Sequence, residues 1–194
     1  MKHGFVKVAA VTPALRVADV RFNAENISRA IGEAEKAGVQ LLVFPELSLC
    51  GYTCGDLFGQ KVLLDDCFAF LRTIAEETKD KKMLVFVGVP VRLGGVLYNC
   101  AAALNGGRVL AFIPKTHLPN YAEFYEKRNF QPYAGENTEI DFYGDRVPFG
   151  NKIVFAEEKE ADFTVSAELC EDLWVPAPPS AGHAHAGANI ILDL

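Results

Sequence analysis

The chain has 194 residues, half of them hydrophobic and 23% charged, which suits one domain with a real core and excludes a disordered chain. Its net charge is −6 with no Lys/Arg-dominated stretch, which argues against a nucleic-acid or anionic-membrane surface, and no apolar run approaches the roughly 18 residues of a membrane span. Five cysteines, an odd number, follow a start without the apolar core of a signal peptide, so reduced thiols in a cytoplasm fit better than a disulfide framework.

Residues 5–11 alternate and then run apolar, which predicts a strand ended by Pro13. From Asn23 to Lys36 apolar residues recur at helical spacing, with Asn23 as N-cap and Gly38 as the C-terminal stop. Residues 39–44 form a short apolar strand stopped by Pro45, giving a βαβ unit with a parallel pair. Glu46 to Gln60 reads as a loop, and Val62 to Lys79 as a second amphipathic helix. Residues 83–89 are a buried strand ended by Pro90. Gly94-Gly95 and Asn105-Gly106-Gly107 are hairpin turns around strands 96–104 and 108–113. The long aromatic stretch 116–137 is expected to be a functional loop. Residues 147–155 and 162–167 read as strands. Pro176, Pro178 and Pro179 then argue against regular structure, before a short helix over 181–187. Residues 188–194 form a last apolar strand, which either pairs with its predecessors or marks a piece of something longer; the second is the expectation.

Three reactive side chains share one kind of position. Glu46, Lys115 and Cys170 each follow an apolar strand, and in α/β sheets sites form at strand ends. Singly they are a solvated strand end, a surface cation and a packed thiol. Together they suit amide cleavage. The carboxylate takes the thiol proton, the ammonium and a backbone N–H steady the oxyanion, and a thioester forms. The glutamate and lysine also make each other's burial tolerable.

Three blocks carry a resemblance: Leu42 to Tyr52, Ile113 to Tyr121, and Glu168 to Trp174. In order and spacing they resemble the signature segments of the carbon–nitrogen hydrolase (nitrilase) superfamily. The finer likeness is to the amino-terminal glutaminase domains of glutamine-dependent NAD⁺ synthetases. It rests on Pro119-Asn120-Tyr121, on Glu123 to Arg128, on Cys170-Glu171-Asp172-Leu173-Trp174 and on Gly51 to Phe58.

The resemblance implies an α/β fold, a four-layer αββα sandwich incomplete at its C-terminus, occupying residues 1–194. It implies a catalytic triad of Glu46, Lys115 and Cys170 that hydrolyses the glutamine side-chain amide. Ammonia would pass to a separate synthetase domain, which alone would use ATP and Mg²⁺; no ATP-binding loop of the SGGxDS kind occurs here. It implies no cofactor for the hydrolysis and a homo-oligomeric assembly. Glu126 is the expected second active-site glutamate, with Glu123 its rival. Tyr52, Tyr121 and Trp174 are candidate pocket walls. Glu171 would offer its N–H to the oxyanion and its carboxylate to the substrate amino group. Two other readings stay open: an ω-amidase or carbamoylase of the same superfamily, and an inert fragment that only packs or associates. Cys50 and Cys54 lack a second ligand pair for zinc, Cys67 and Cys100 read as core, and His183 and His185 as loop residues.

Overall fold

The computed structural model describes residues 4–157 and 160–194, and side-chain placement is taken from 4–157 and 163–194. Strands β1 (Val8–Ala10), β2 (Leu41–Val43), β3 (Leu84–Leu93), β4 (Val96–Asn105), β5 (Arg108–Pro114), β6 (Thr138–Phe142) and β7 (Asp145–Phe149) form one sheet in the order β1-β2-β3-β4-β5-β7-β6. Strands β8 (Phe155–Glu157), β9 (Glu160–Glu168) and β10 (Ile190–Asp193) form a second, with β10 parallel to β9. Helices α1 (Val20–Lys36) and α2 (Lys61–Glu77) cover the outer face of the large sheet, and α3 (Pro179–His185) packs against β9. The layers therefore run α, β, β, α. Among the described residues no helix is long and apolar enough to cross a membrane.

Two-residue periodicity explains the layering. Along β3, Val85, Val87, Val89 and Val91 pack toward the helices, while Leu84 and Phe86 face the small sheet. Ala101 and Ala103 of β4, and Ala111 and Ile113 of β5, continue that second face. They meet Phe163, Val165, Ala167 and Leu169 of β9 and its extension. A strand buried on both sides reads as one apolar run, which is what 83–89 shows. The glycine pairs have positive φ at both positions, 58° and 84° for Gly94-Gly95 and 60° and 82° for Gly106-Gly107, as two-residue hairpins require.

Several expectations are corrected. The first helix begins at Val20, and its cap is Asp19, whose carboxylate accepts the Phe22 N–H at 3.1 Å. Asn23 is buried instead, its amide donating to the carbonyls of Arg16 and Leu49. Pro90 does not end β3. Phe86 and Gly88 turn their carbonyls toward the β2 side, bonding Phe44 N–H and Leu49 N–H. Pro90 has the same parity, and β2 has already ended, so its missing N–H costs no ladder bond. Residues 147–155 are not one strand: β7 stops at Phe149, β8 starts at Phe155, and β6, unread in the sequence, pairs with β7 around Tyr143-Gly144. Pro179 starts α3, at a position where a missing N–H is harmless.

Candidate active site

The large sheet brings the ends of β2 and β5 to one edge, because β2 pairs parallel with β3 and the two antiparallel pairings that follow return β5 to the same direction. Glu46 lies in the turn after β2. The next residue, Leu47, has φ 51°, a strained value for a side-chain-bearing residue. This turn rests on the backbone of Gly88, where a Cβ would stand 2.2 Å from Leu47 N and 2.4 Å from the Pro45 carbonyl oxygen. The Gly88 N–H donates to Ser48 Oγ at 3.2 Å, and its carbonyl accepts the Leu49 N–H at 3.1 Å. Only glycine lets the turn fold this closely across β3.

Lys115 directly follows β5, and its backbone N–H donates to the Asn99 carbonyl at 2.8 Å. By parity Asn99 and Lys115 share the inter-sheet face with Ala101 and Ile113. Lys115 Nζ donates to Glu46 Oε1 at 2.7 Å and to Glu126 Oε1 at 2.8 Å. Asn99 Nδ2 donates to Glu46 Oε1 and, at 3.4 Å, to Glu126 Oε2. The Tyr52 hydroxyl donates to Glu126 Oε1 at 2.7 Å. The lysine side chain is 0% exposed, Glu126 4% and Glu46 10%.

Two carboxylates here share one ammonium. Burial pushes the Glu46 carboxyl up to about 7, with Glu126 adding to the rise and Lys115 and Asn99 opposing it. Burial alone would lower Lys115, but Glu46 and Glu126 outweigh it and hold the ammonium above its ordinary value. Glu46 is thus the member of the cluster poised to take or give a proton near neutrality. Burial, and then the bond to Glu126, raise the Tyr52 phenol, so it acts as a neutral donor.

Cys170 opens a 3₁₀ turn, Cys170–Trp174, directly after the β9 run, with φ 46°. It is half-buried. Burial pushes its thiol up to about 11; Lys115 pulls the other way, while Glu46, Glu126 and Asp193 add to the rise. The thiol therefore lies within the electrostatic reach of the whole cluster and stays protonated at neutral pH. Asp172, buried, accepts the N–H groups of Thr116 at 3.0 Å, His117 at 2.6 Å and Leu169 at 3.2 Å.

Lys115 thus bonds Glu46 and Glu126, Tyr52 bonds Glu126, and Cys170 lies within the electrostatic reach of Lys115, Glu46 and Glu126. Between the rival glutamates, Glu126 is buried on Lys115 and Glu123 is exposed. Tyr121 and Glu171 form a surface pair, hydroxyl to carboxylate at 2.9 Å, while Trp174 is 75% exposed and does not wall the cluster. Cys50, Cys54, Cys67 and Cys100 are buried, and among the described residues no group of three or more His, Cys, Asp or Glu is arranged for a metal. His183 is a buried residue of α3, with Nε2 2.6 Å from the Asn151 carbonyl oxygen; it is not a loop residue. Asn99 and Asp172 were not singled out from the sequence. A signal existed for Asn99, a lone amide between Tyr98 and the apolar run 100–104, and for Asp172, an acid four residues past the end of β9.

Residues 7–193 match the carbon–nitrogen hydrolase family model. The chain belongs to that family. Over its whole length this carbon–nitrogen hydrolase is 39% identical to a glutamine-dependent NAD(+) synthetase of Mycobacterium bovis, of which it spans 28%. Over 96% of its length it is 28% identical to the Homo sapiens protein described in the same words, again spanning 28% of it. The crystal structure of a glutamine-dependent NAD(+) synthetase from Cytophaga hutchinsonii superimposes with a TM-score of 0.84 at 28% identity, covering 97% of this chain and 30% of that one. An amidase from Nesterenkonia sp. shares the fold, with a TM-score of 0.76 at 23% identity over all of this chain and 65% of its own. The carbon–nitrogen hydrolase therefore spans under a third of the length of these synthetases.

Proposed function

We propose that this chain is the amide-cleaving part of a glutamine-dependent NAD⁺ synthetase, hydrolysing the glutamine side-chain amide to glutamate and ammonia. The observation that carries the reading is the buried Glu46–Lys115–Glu126 cluster beside the Cys170 thiol. With its thiol near 11, Cys170 is thiolate in roughly one molecule in 10⁴ at pH 7, so attack needs a base in place.

Glu46 takes the thiol proton as the sulfur–carbon bond forms. The amide oxygen becomes an oxyanion facing Lys115 Nζ and the Glu171 N–H, a first-turn donor without an intrahelical acceptor. The carbon–nitrogen bond then breaks, Glu46 returns the proton to nitrogen, and ammonia leaves a thioester. Water attacks the thioester, giving one proton to Glu46, and glutamate departs as that proton returns to the Cys170 sulfur. Glu126 and Tyr52 keep Lys115 aimed throughout. Tyr121 and Glu171, paired beside the thiol, are suited to the amino-acid end of the substrate.

The same reading assigns the ammonia to an ATP- and Mg²⁺-dependent ligase region outside these residues, in a cytoplasmic homo-oligomer. The relatives' names and the acids flanking Cys170 favour glutamine over a generic ω-amide or carbamoyl substrate. The test is ammonia release from glutamine by wild type and Cys170→Ala, with a glutamine-mimicking diazoketone as label. Wild type should turn over and be labelled at Cys170 and at no other cysteine, and the variant should do neither. A folded wild type with an unlabelled Cys170 and no turnover sinks the reading.

A further inference from the structure

We propose that Asp172 is a positioning residue that locks the strand end carrying Lys115 to the turn carrying Cys170. The inference rests on the amidohydrolase reading above. Lys115 directly follows a strand of the large sheet and Cys170 follows a strand of the small one. The two sheets meet through apolar side chains, and apolar contact is non-directional. It presses the sheets together without fixing how far one slides along the other.

Asp172 supplies the missing direction. Thr116 and His117 directly follow Lys115, and both donate their backbone N–H to its carboxylate, at 3.0 and 2.6 Å to Oδ1. Leu169 directly precedes Cys170 and donates to Oδ2 at 3.2 Å. The Asp172 N–H returns to the Leu169 carbonyl at 3.0 Å, closing the turn in which Cys170 holds its positive φ. One carboxylate, 1% exposed, thus ties both segments. Asn151 braces the same place, its Nδ2 donating to Thr116 Oγ1 at 2.9 Å. Charge-assisted bonds of this kind are short and directional. Burial raises the Asp172 carboxyl, and the three N–H groups oppose that rise. The residue touches neither the thiol nor the ion cluster through any of these bonds; it acts through the two segments it holds.

The test compares Asp172→Asn and Asp172→Ala by glutamine turnover and by the pH profile of Cys170 alkylation with iodoacetamide, followed by mass spectrometry. Misplacement near 1 Å costs on the order of 10² in rate, so kcat should fall about 100-fold in Asp172→Ala with KM within about threefold. The alkylation midpoint should move upward, because Lys115 no longer opposes the other influences on the thiol. Asp172→Asn keeps an acceptor for Thr116 and His117 but not for Leu169, and should recover about tenfold of the lost kcat. It also carries the test if the alanine variant does not fold. A midpoint and kcat unchanged within about twofold, in folded variants, overturn the positioning role. So does a loss confined to the melting temperature. If wild type does not hydrolyse glutamine yet the midpoint shifts, the substrate reading fails and the positioning role stands.

Discussion

Lys115 and Lys152 form ion pairs of the same length in opposite surroundings. Lys115 Nζ lies 2.7 Å from Glu46 and 2.8 Å from Glu126, with all three side chains at most 10% exposed. Lys152 Nζ lies 2.8 Å from Glu136, with side chains 61% and 87% exposed. Distance therefore says little about either pair. In water the attraction nearly cancels against side-chain entropy and screening. Under the second sheet the charges have lost their hydration and depend on one another. The buried group is held by its neighbours' bonds, and burial lifts its Glu46 carboxyl up to about 7. The exposed one only links a loop to its neighbour. Chemistry resides where solvent has been removed.

The largest test of this contrast removes the buried cation. Lys115→Met leaves Glu46 and Glu126 facing each other and should cost about 3–5 kcal/mol of stability by urea denaturation, with turnover lost. Neutralising one carboxylate should act differently. The folded Glu46 carboxyl is raised from 4.5 to about 7, so the fold favours its protonated form. That contribution is fully present below pH 4.5 and is lost as pH rises through about 7. Relative to Glu46→Gln, wild type should thus lose melting temperature across this window. At pH 7.5 the variant should melt no lower than wild type while turning over roughly 10²–10⁴-fold more slowly. Wild-type turnover should itself fall as pH drops below about 7, following protonation of Glu46. Parallel melting curves for the two proteins between pH 4.5 and 8 would refute a Glu46 titrating near 7. Tyr52→Phe deletes one donor to Glu126 and should cost about 1.5–3 kcal/mol in transition-state stabilisation, read from kcat/KM. Lys152→Ala should change stability by at most about 1 kcal/mol and leave turnover alone.

Local chemistry made part of this molecule legible. The glycine pairs announced both hairpins, and the apolar runs before Glu46, Lys115 and Cys170 placed all three at strand ends. What stayed hidden depends on partners distant in sequence. Pro90 looked like a terminator because a sequence does not show that β2 stops before reaching it. Asn23 looked like a cap because its true acceptors, the carbonyls of Arg16 and Leu49, are brought to it by folding. Strand β6 was missed since its exposed positions carry acids, Glu139 and Asp141, leaving Ile140 and Phe142 to mark the inner face. Glu126 separates from Glu123 only by burial. Asp172 gains its meaning from Thr116 and His117, more than fifty residues earlier.

Gly88 carries a last consequence. It touches no substrate group and belongs to no motif, yet the Pro45–Leu47 backbone occupies the space of its absent methyl. Any replacement there adds volume, and the nearest atoms are main chain, which cannot rotate aside. In a saturation-mutagenesis survey this position should be as intolerant as Glu46, Lys115 and Cys170, while Gly32, where an added Cβ would meet nothing within 4 Å, tolerates alanine. A position can be indispensable for what it omits.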